Sequence, residues 1–424
     1  MNPSSVFFLQ MVVILTTCRC FGWLVRRWLR QPQVIGEMIA GIVLGPSLLG
    51  LLAPEVQTFL FPPESKAVLY VVAQLGIGLY MFLVGLDFRS DDFRANAPSA
   101  VAVSTSGIVI PFLVAIAGTP FLMSVPGLFA DGVSKFNATL FLGAAIAITA
   151  FPVLARIIHE RGLNGSLIGT LSLSAAAIGD AIAWCVLAVV LASLGAGPGV
   201  AVVAIVGGVC LSGVLIFVGP RLFAPLGRLA EREHASGQPL STTVLAAALM
   251  LFTLSAWFAD FIGLHAVFGG FLIGTAMPRG VFATRLRQLL EPFTLVFLLP
   301  VFFTFSGLNT QLTMVNTAPL LLIALGILAA SIFAKFVACW AAARVTGLDN
   351  RSALGIGALM NARGLTELII LNIGLTAGII GSALFSMMVL MAIVTTLMAS
   401  PLFEWVYGRS ARARGELPRL KSLR

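Results

Sequence analysis

Apolar segments long enough to cross a bilayer, about 18 residues or more, recur along this chain from near its first residues to near its last. Inside hydrocarbon no water bonds the backbone N–H and C=O groups, so such segments must fold as internally bonded helices. The composition agrees. The 424 residues are 59% hydrophobic and 10% charged, with a mean hydropathy of +1.02, whereas a soluble domain carries about 25% charged residues. The expected class is an all-α polytopic membrane protein with the lipid bilayer as its surroundings.

Hydropathy and loop breakers divide the chain into about thirteen spans. They lie near 6–30, 33–53, 66–86, 96–118, 136–159, 164–193, 198–221, 241–261, 264–278, 286–307, 318–344, 350–374 and 379–403. The first span ends, rather than begins, with Arg26, Arg27 and Arg30, the reverse of a secretory leader, and is read as retained. The net charge of +9 does not signal nucleic acid, because the basic residues sit in short loops and in the C-terminal tail. Arg89 and Arg94, Arg156 and Arg161, Arg221, Arg228 and Arg232, Arg279, Arg285 and Arg287, and Arg344 and Arg351 fall on alternate connections. The connections between them are nearly free of Lys and Arg. The positive-inside rule then places the N-terminus outside and the C-terminus in the cytoplasm of a plasma membrane. Cys18, Cys20, Cys185, Cys210 and Cys339 fall within spans, without zinc spacing or a disulfide framework. No Walker A or Rossmann fingerprint is present, so nothing points to ATP drive or a bound nucleotide, and no nucleophile–base pair suggests an enzyme.

The residues that carry chemistry are ionisable groups at membrane depth, which are functional by default. Asp180 stands near the middle of the apolar stretch 163–192. Desolvation penalises its charged form, so it holds either a proton or, once ionised, a monovalent cation, and competition between the two is coupled exchange in its simplest form. Ala176 and Ala177, one turn back, offer no oxygen. Other helices must supply further ligands, and the carbonyls freed near Thr149 and Ala150, where Pro152 interrupts a span, are the candidates. Lys335 lies too deep in its span to reach the end at Arg344 easily. It reads either as a lysine tied to carbonyls or a carboxylate, or as a participant in the proton cycle. Asn361, Arg363, Gly364 and Glu367 interrupt another span. Arg363 and Glu367, spaced i, i+4, pair along one face if the helix continues; a break at Gly364 instead adds half-helix dipoles near the site. Glu37 is expected to pair with Arg363 or a loop arginine, and Gly41 and Gly45 make a GxxxG packing face. His265 and Asp260 flank a short external connection and are read as surface residues, and His159 as a solvated loop histidine. Interrupted spans in corresponding places point to a repeat, with 96–118, 136–159 and 164–193 as one unit and 318–344, 350–374 and 379–403 as the other.

Four stretches, VIGEMIAGIVLGPSLLG (34–50), TAFPVLARIIHERG (149–162), SLSAAAIGDAIAWCVLA (172–188) and ALMNARGLTELIILNIGL (358–375), together resemble the monovalent cation:proton antiporter-2 family. The resemblance implies an NhaA-like inverted-repeat fold with two discontinuous, crossed helices. It also implies an elevator-type core moving against a dimerisation scaffold in a homodimer. In this chain the core would comprise about 96–193 and 318–403 and the scaffold about 6–86 and 198–307, followed by a short basic tail, 408–424, in place of the family's soluble regulatory domain. By the same resemblance Asp180 matches the cation- and proton-binding aspartate, Thr149 falls in the extended part of a broken helix and Arg363 in the family's NARG turn. Lys335 matches a basic residue that in electrogenic members pairs with a second acid just before the aspartate. That position is Gly179 here, so one titrating carboxylate implies electroneutral exchange of a proton for Na+ or K+, with no cofactor. Two alternatives stand beside this: an organic-anion symporter on the same scaffold, and a non-transporting sensor or partner subunit.

Overall fold

The computed structural model of the chain describes residues 3–29, 31–88, 90–192, 197–308 and 317–413. Arg30 and Arg89, the connections at 193–196 and 309–316, and the basic tail beyond 413 lie outside the described residues. The first part of the chain forms α1 (Pro3–Leu24), α2 (Gln33–Leu44), the short α3 (Leu49–Leu52) and α4 (Pro54–Leu60), and α5 (Pro63–Asp87). Next come α6 (Ser90–Met123), the broken pair α7 (Lys135–Ala147) and α8 (Phe151–Glu160), and α9 (Leu167–Leu191). A middle group holds α10 (Pro198–Gly213), α11 (Gly219–Ala235), α12 (Thr242–Phe261), α13 (Ala266–Ala276), α14 (Val281–Phe293) and α15 (Leu299–Leu308). The last group is α16 (Ala318–Val345), the second broken pair α17 (Asn350–Leu359) and α18 (Leu365–Thr376), and α19 (Ser382–Ala413). Eleven helices among the described residues are long and apolar enough to cross a membrane. Two of the expected spans fall on shorter pieces, the 11-residue α13 and the broken pair α17–α18.

Side-chain caps set several helix starts by accepting an N–H that the first turn leaves unbonded. Ser134 accepts from Asn137 N at α7, Ser166 from Gly169 N at α9, Ser241 from Val244 N at α12 and Asp349 from Ser352 N at α17. The two breaks have separate local causes. Ile148 and Ala150 are extended (φ −65°, ψ 139° and φ −71°, ψ 90°), and Pro152, which has no N–H to continue a ladder, falls in the first turn of α8. In the second pair α17 ends at Leu359, and Gly364, fully extended, precedes α18.

The two repeat units inferred from breaker spacing pack alike. α6 lies against α7 and α9, as α16 lies against α17 and α19; α8 packs on α9 as α18 packs on α19. Across the units α6 meets α16, α7 meets α18 and α9 meets α17, so the two breaks are brought face to face. The other elements form a second layer in which α5 packs on α13 and α15, and α2 on α1 and α15. The GxxxG face of α2 works as its composition suggests. A side chain at Gly41 would meet the Phe303 carbonyl at 2.7 Å and one at Gly45 the Gly307 carbonyl at 2.4 Å, so α2 and α15 touch backbone to backbone.

Candidate functional site

The site grows from the crossing of the two breaks. Ala150 N donates to Ala362 O at 2.9 Å, and Thr149 Oγ1 donates to Met360 O at 3.1 Å. One main-chain and one side-chain bond thus stitch the extended segments together and satisfy groups that no helix serves. Close approach requires Gly364, where an added side chain would stand 2.6 Å from Val153 Cγ2 and 3.1 Å from Ala150 Cβ. Thr396 of α19 braces the second break from behind: its hydroxyl accepts from Arg363 N at 3.0 Å and lies 2.6 Å from the Arg363 carbonyl. Asn361 Nδ2 donates to Gly357 O at 3.0 Å, leaving Asn361 Oδ1 buried without a donor.

Two of the buried cations, Lys335 and Arg363, close on the C-terminal end of α7. Its last carbonyls have no following turn to bond them and carry the negative end of the helix dipole. Arg363 donates to Ala145 O at 3.0 Å, and Lys335 Nζ donates to Ala147 O. Lys335 also donates to Gly107 O at 3.0 Å. The intrahelical donor for that carbonyl would be residue 111, which is Pro111, inside α6, so proline leaves it free. Lys335 is 2% exposed and tied to two main-chain oxygens that helix interruptions release. A tie to carbonyls is one of the two roles its position suggests, and the signal for one of these oxygens is a proline four residues beyond Gly107. The Arg363–Glu367 pair forms at 3.6 Å with both side chains fully buried, although the helix does break at Gly364. Neither Glu367 oxygen has a hydrogen-bond donor.

Asp180 is 1% exposed on α9, which packs against α6, α7, α8 and α17. Its Oδ1 is buried without a donor. Beside it, the missing side chain of Gly179 leaves a gap bordered by Ser104 Oγ, 3.5 Å from where a Cβ would stand. The Ser104 hydroxyl is likewise buried and without a partner. Asp180 Oδ1, Ser104 Oγ, Asn361 Oδ1 and Glu367 Oε1 and Oε2 are therefore buried oxygens with unused acceptor capacity. Such oxygens can replace the hydration shell of a cation. The Ala150 carbonyl accepts from Leu154 N within α8 at 2.9 Å and has one lone pair left for another partner. Among the described residues no cluster of three His, Cys, Asp or Glu side chains suited to a bound metal occurs.

Three expectations change. Glu37 does not reach Arg363: it accepts from Gln33 Nε2 at 2.9 Å and faces Arg156 at 4.0 Å, apart from the crossing. Arg156 is no loop residue but a buried member of α8, paired with Glu160 at 2.6 Å. His265 is not on the surface either; it is 9% exposed because the α12–α13 connection folds inward and Trp184 covers its ring. His159 lies 3.6 Å from Glu291 at a small cleft that also meets Asp87, Thr170, Leu173 and Arg287. Leu173 is seven residues before Asp180 on α9, or about 10 Å along the helix.

Residues 12–407 match the family described as sodium/hydrogen exchanger, transmembrane. The chain belongs to that family. It is 37% identical over 416 residues to the Na(+)/H(+) antiporter NhaS4 of Synechocystis sp., covering 96% of this chain and 98% of that protein. It is also 35% identical over 413 residues to cation/H(+) antiporter 18 of Arabidopsis thaliana, covering 96% of this chain and 50% of that protein. The chain thus spans about half the length of its plant relatives. Its fold superposes on the sodium proton antiporter MjNhaP1 of Methanocaldococcus jannaschii with a TM-score of 0.65 at 15% identity, over 99% of this chain and 100% of that one. The all-helical fold is therefore shared with a solved sodium proton antiporter.

Proposed function

We propose that this chain is a secondary active antiporter exchanging protons for a monovalent cation, Na+ or K+, at Asp180. The observation that carries this reading is a buried carboxylate with one oxygen lacking any donor, set beside a crossing of two broken helices. A desolvated carboxylate is costly when bare, so proton and cation compete for Oδ1, and each displaces the other on opposite sides of the membrane. The names of the relatives, Na(+)/H(+) and cation/H(+) antiporters, support the same reading.

Thr149 and Ala150 fix the frame of the crossing, and Ser104 and Asn361 offer further oxygens to the cation. Lys335 and Arg363 balance Asp180 and Glu367 in charge while closing the end of α7. With Gly179 before Asp180 a single carboxylate turns over, so one proton leaves for each cation and the exchange is electroneutral. The core of about 96–193 and 318–403 moves as an elevator against the remaining helices of a homodimer in the plasma membrane, with the N-terminus outside and the C-terminus cytoplasmic. The cleft at His159 and Glu291 is the aqueous approach to α9. An organic anion fits less well, because the Lys335 ammonium and the Arg363 guanidinium already serve main-chain oxygens.

The deciding experiment is proton flux in liposomes driven by Li+, Na+, K+ or Rb+ gradients. Asp180→Asn keeps the shape of the side chain but not its charge and abolishes flux while the purified protein stays monodisperse. Flux that survives this substitution refutes the proposal, and the order of cations fixes the selectivity.

A further inference from the structure

The two layers meet along α8 through two kinds of contact, one at each end of the helix. Where α8 leaves the crossing, Phe151 meets Phe271 of α13 edge to face, with centroids 4.7 Å apart and planes at 89°. Apolar attraction of this kind is non-directional and survives sliding while the surface stays covered. The far end of α8 is polar, and it presents Arg156, His159, Glu160 and then Arg161 to the second layer. Glu160 accepts from Gln33 N, at the first residue of α2, where no helical carbonyl serves the N–H. Arg156, held by Glu160 at 2.6 Å, faces Glu37 at 4.0 Å, and Gln33 Nε2 bonds Glu37 at 2.9 Å. Arg161 donates to Gln31 Oε1 at 3.1 Å while it also holds Ser400 and Glu404 of α19, in its own layer. On the other flank His159 Nε2 stands 3.6 Å from Glu291 Oε1 of α14. Asn164 Nδ2, 3.0 Å from His159 Nδ1, can only donate, so Nε2 carries the imidazole proton on the side of Glu291. Hydrogen bonds weaken steeply with misalignment, so a slide of α8 past α2 and α14 undoes these contacts together.

We propose that the polar end of α8 is a latch: it fastens the first layer to α2 and α14 in one position of the core and releases as a unit when the core moves. The latch rests on the proposed movement of the core against the remaining helices. Its place suits that task. α8 begins at the crossing, where Ala150 N is bonded to Ala362 O, so the crossing cannot travel far without carrying the far end of α8 with it. A buried contact such as Arg156 with Glu37 adds little stability, because desolvation offsets its attraction; what it supplies is a defined register between two surfaces. The latch acts on the populations of the two positions and not on the ion's ligands. The more firmly it holds, the rarer the released position, and the weaker the apparent affinity at the membrane face to which that position opens. It thereby sets the cation concentration at which exchange starts from that face.

Everted and right-side-out membrane vesicles present opposite faces of the protein to one flux assay. Glu160→Gln removes the charge that grips Arg156 and Gln33 N. KM for the driving cation then falls about tenfold at one face, the worth of a hydrogen bond to a charged group, and stays within about twofold at the other. Gln31→Ala removes a single acceptor and lowers KM about threefold at the same face. A KM that moves alike at both faces or at neither, or a loss confined to Vmax, overturns the latch, because a merely structural role favours neither face. Independently of transport, hydrogen exchange in the detergent-solubilised full-length protein tests whether the two flanks open together. Glu291→Gln loosens the α14 flank, and the Gln33 amide on the α2 flank then exchanges about threefold faster. Gln33 exchange that stays at the wild-type rate also overturns the latch. Absence of flux from the wild-type protein would count against the antiporter reading, and the exchange rate would still decide the latch.

Discussion

The double tether of Lys335 makes a prediction that can be worked through from the structure. Lys335→Met keeps the length and packing of the side chain but leaves the carbonyls of Gly107 and Ala147 buried without a donor. An unsatisfied buried group costs about 1–3 kcal/mol, so the variant loses about 2–6 kcal/mol of stability. Half of that loss has a local remedy. Pro111 denies the Gly107 carbonyl its intrahelical partner, and Pro111→Ala restores an N–H at that position. In the Lys335→Met background Pro111→Ala therefore returns about 1–3 kcal/mol beyond its effect in the wild type, while Ala147 stays unserved. The assay is thermal unfolding of the four proteins in one detergent, read as a double-mutant cycle. Strict additivity would refute the reasoning, because it would mean that the proline and the lysine do not act on one carbonyl. A Lys335→Met variant as stable as the wild type would refute it more directly.

Other outcomes follow from the same geometry. Gly364→Ala places a methyl group 2.6 Å from Val153 Cγ2; the crossing must spread at a cost of about 1–3 kcal/mol, and cation-driven flux falls with the thermal midpoint. Thr396→Val removes the hydroxyl bonded to the Arg363 main chain and lowers stability by about 1–3 kcal/mol, measured by the same unfolding assay. Under an electroneutral cycle, a potassium–valinomycin diffusion potential does not shift the cation gradient at which proton flux reverses in liposomes; a shift shows that charge moves. Gly179→Asp puts a second carboxylate in the gap beside Ser104, and the reversal point then becomes voltage-dependent.

Much of this arrangement can be read from residue order alone, because membrane depth turns each charge into a statement. Asp180, Lys335, Arg363 and Glu367 stand out against apolar runs, and each is buried. Both helix interruptions are visible as Pro152 and as the Asn361–Gly364 cluster, and they lie in corresponding elements of two similarly packed units. What stayed hidden has a common cause: the partner is backbone, or it comes from another layer. The carbonyls that hold Lys335 and Arg363 have no sequence identity of their own, and only the i+4 relation of Pro111 to Gly107 hints at one of them. Glu37 and Arg156 are 119 positions apart, and no local pattern selects that pairing over Arg363. The short connection that holds His265 suggests exposure, and the fold instead buries it by packing α13 between α5 and α12.

The stitch between the two breaks has a bearing on how such a site can diversify. One of its bonds, from Ala150 N to Ala362 O, runs from main chain to main chain, so no substitution short of proline at 150 deletes it. The demand on sequence is only that nearby side chains stay small, as at Ala150, Ala362 and Gly364. Hydroxyls, amides and carboxylates around the crossing can then be exchanged one at a time without dismantling the frame that holds them. Under the proposed exchange, a lineage can alter its preferred ion, or its charge stoichiometry at position 179, while inheriting the same crossing unchanged.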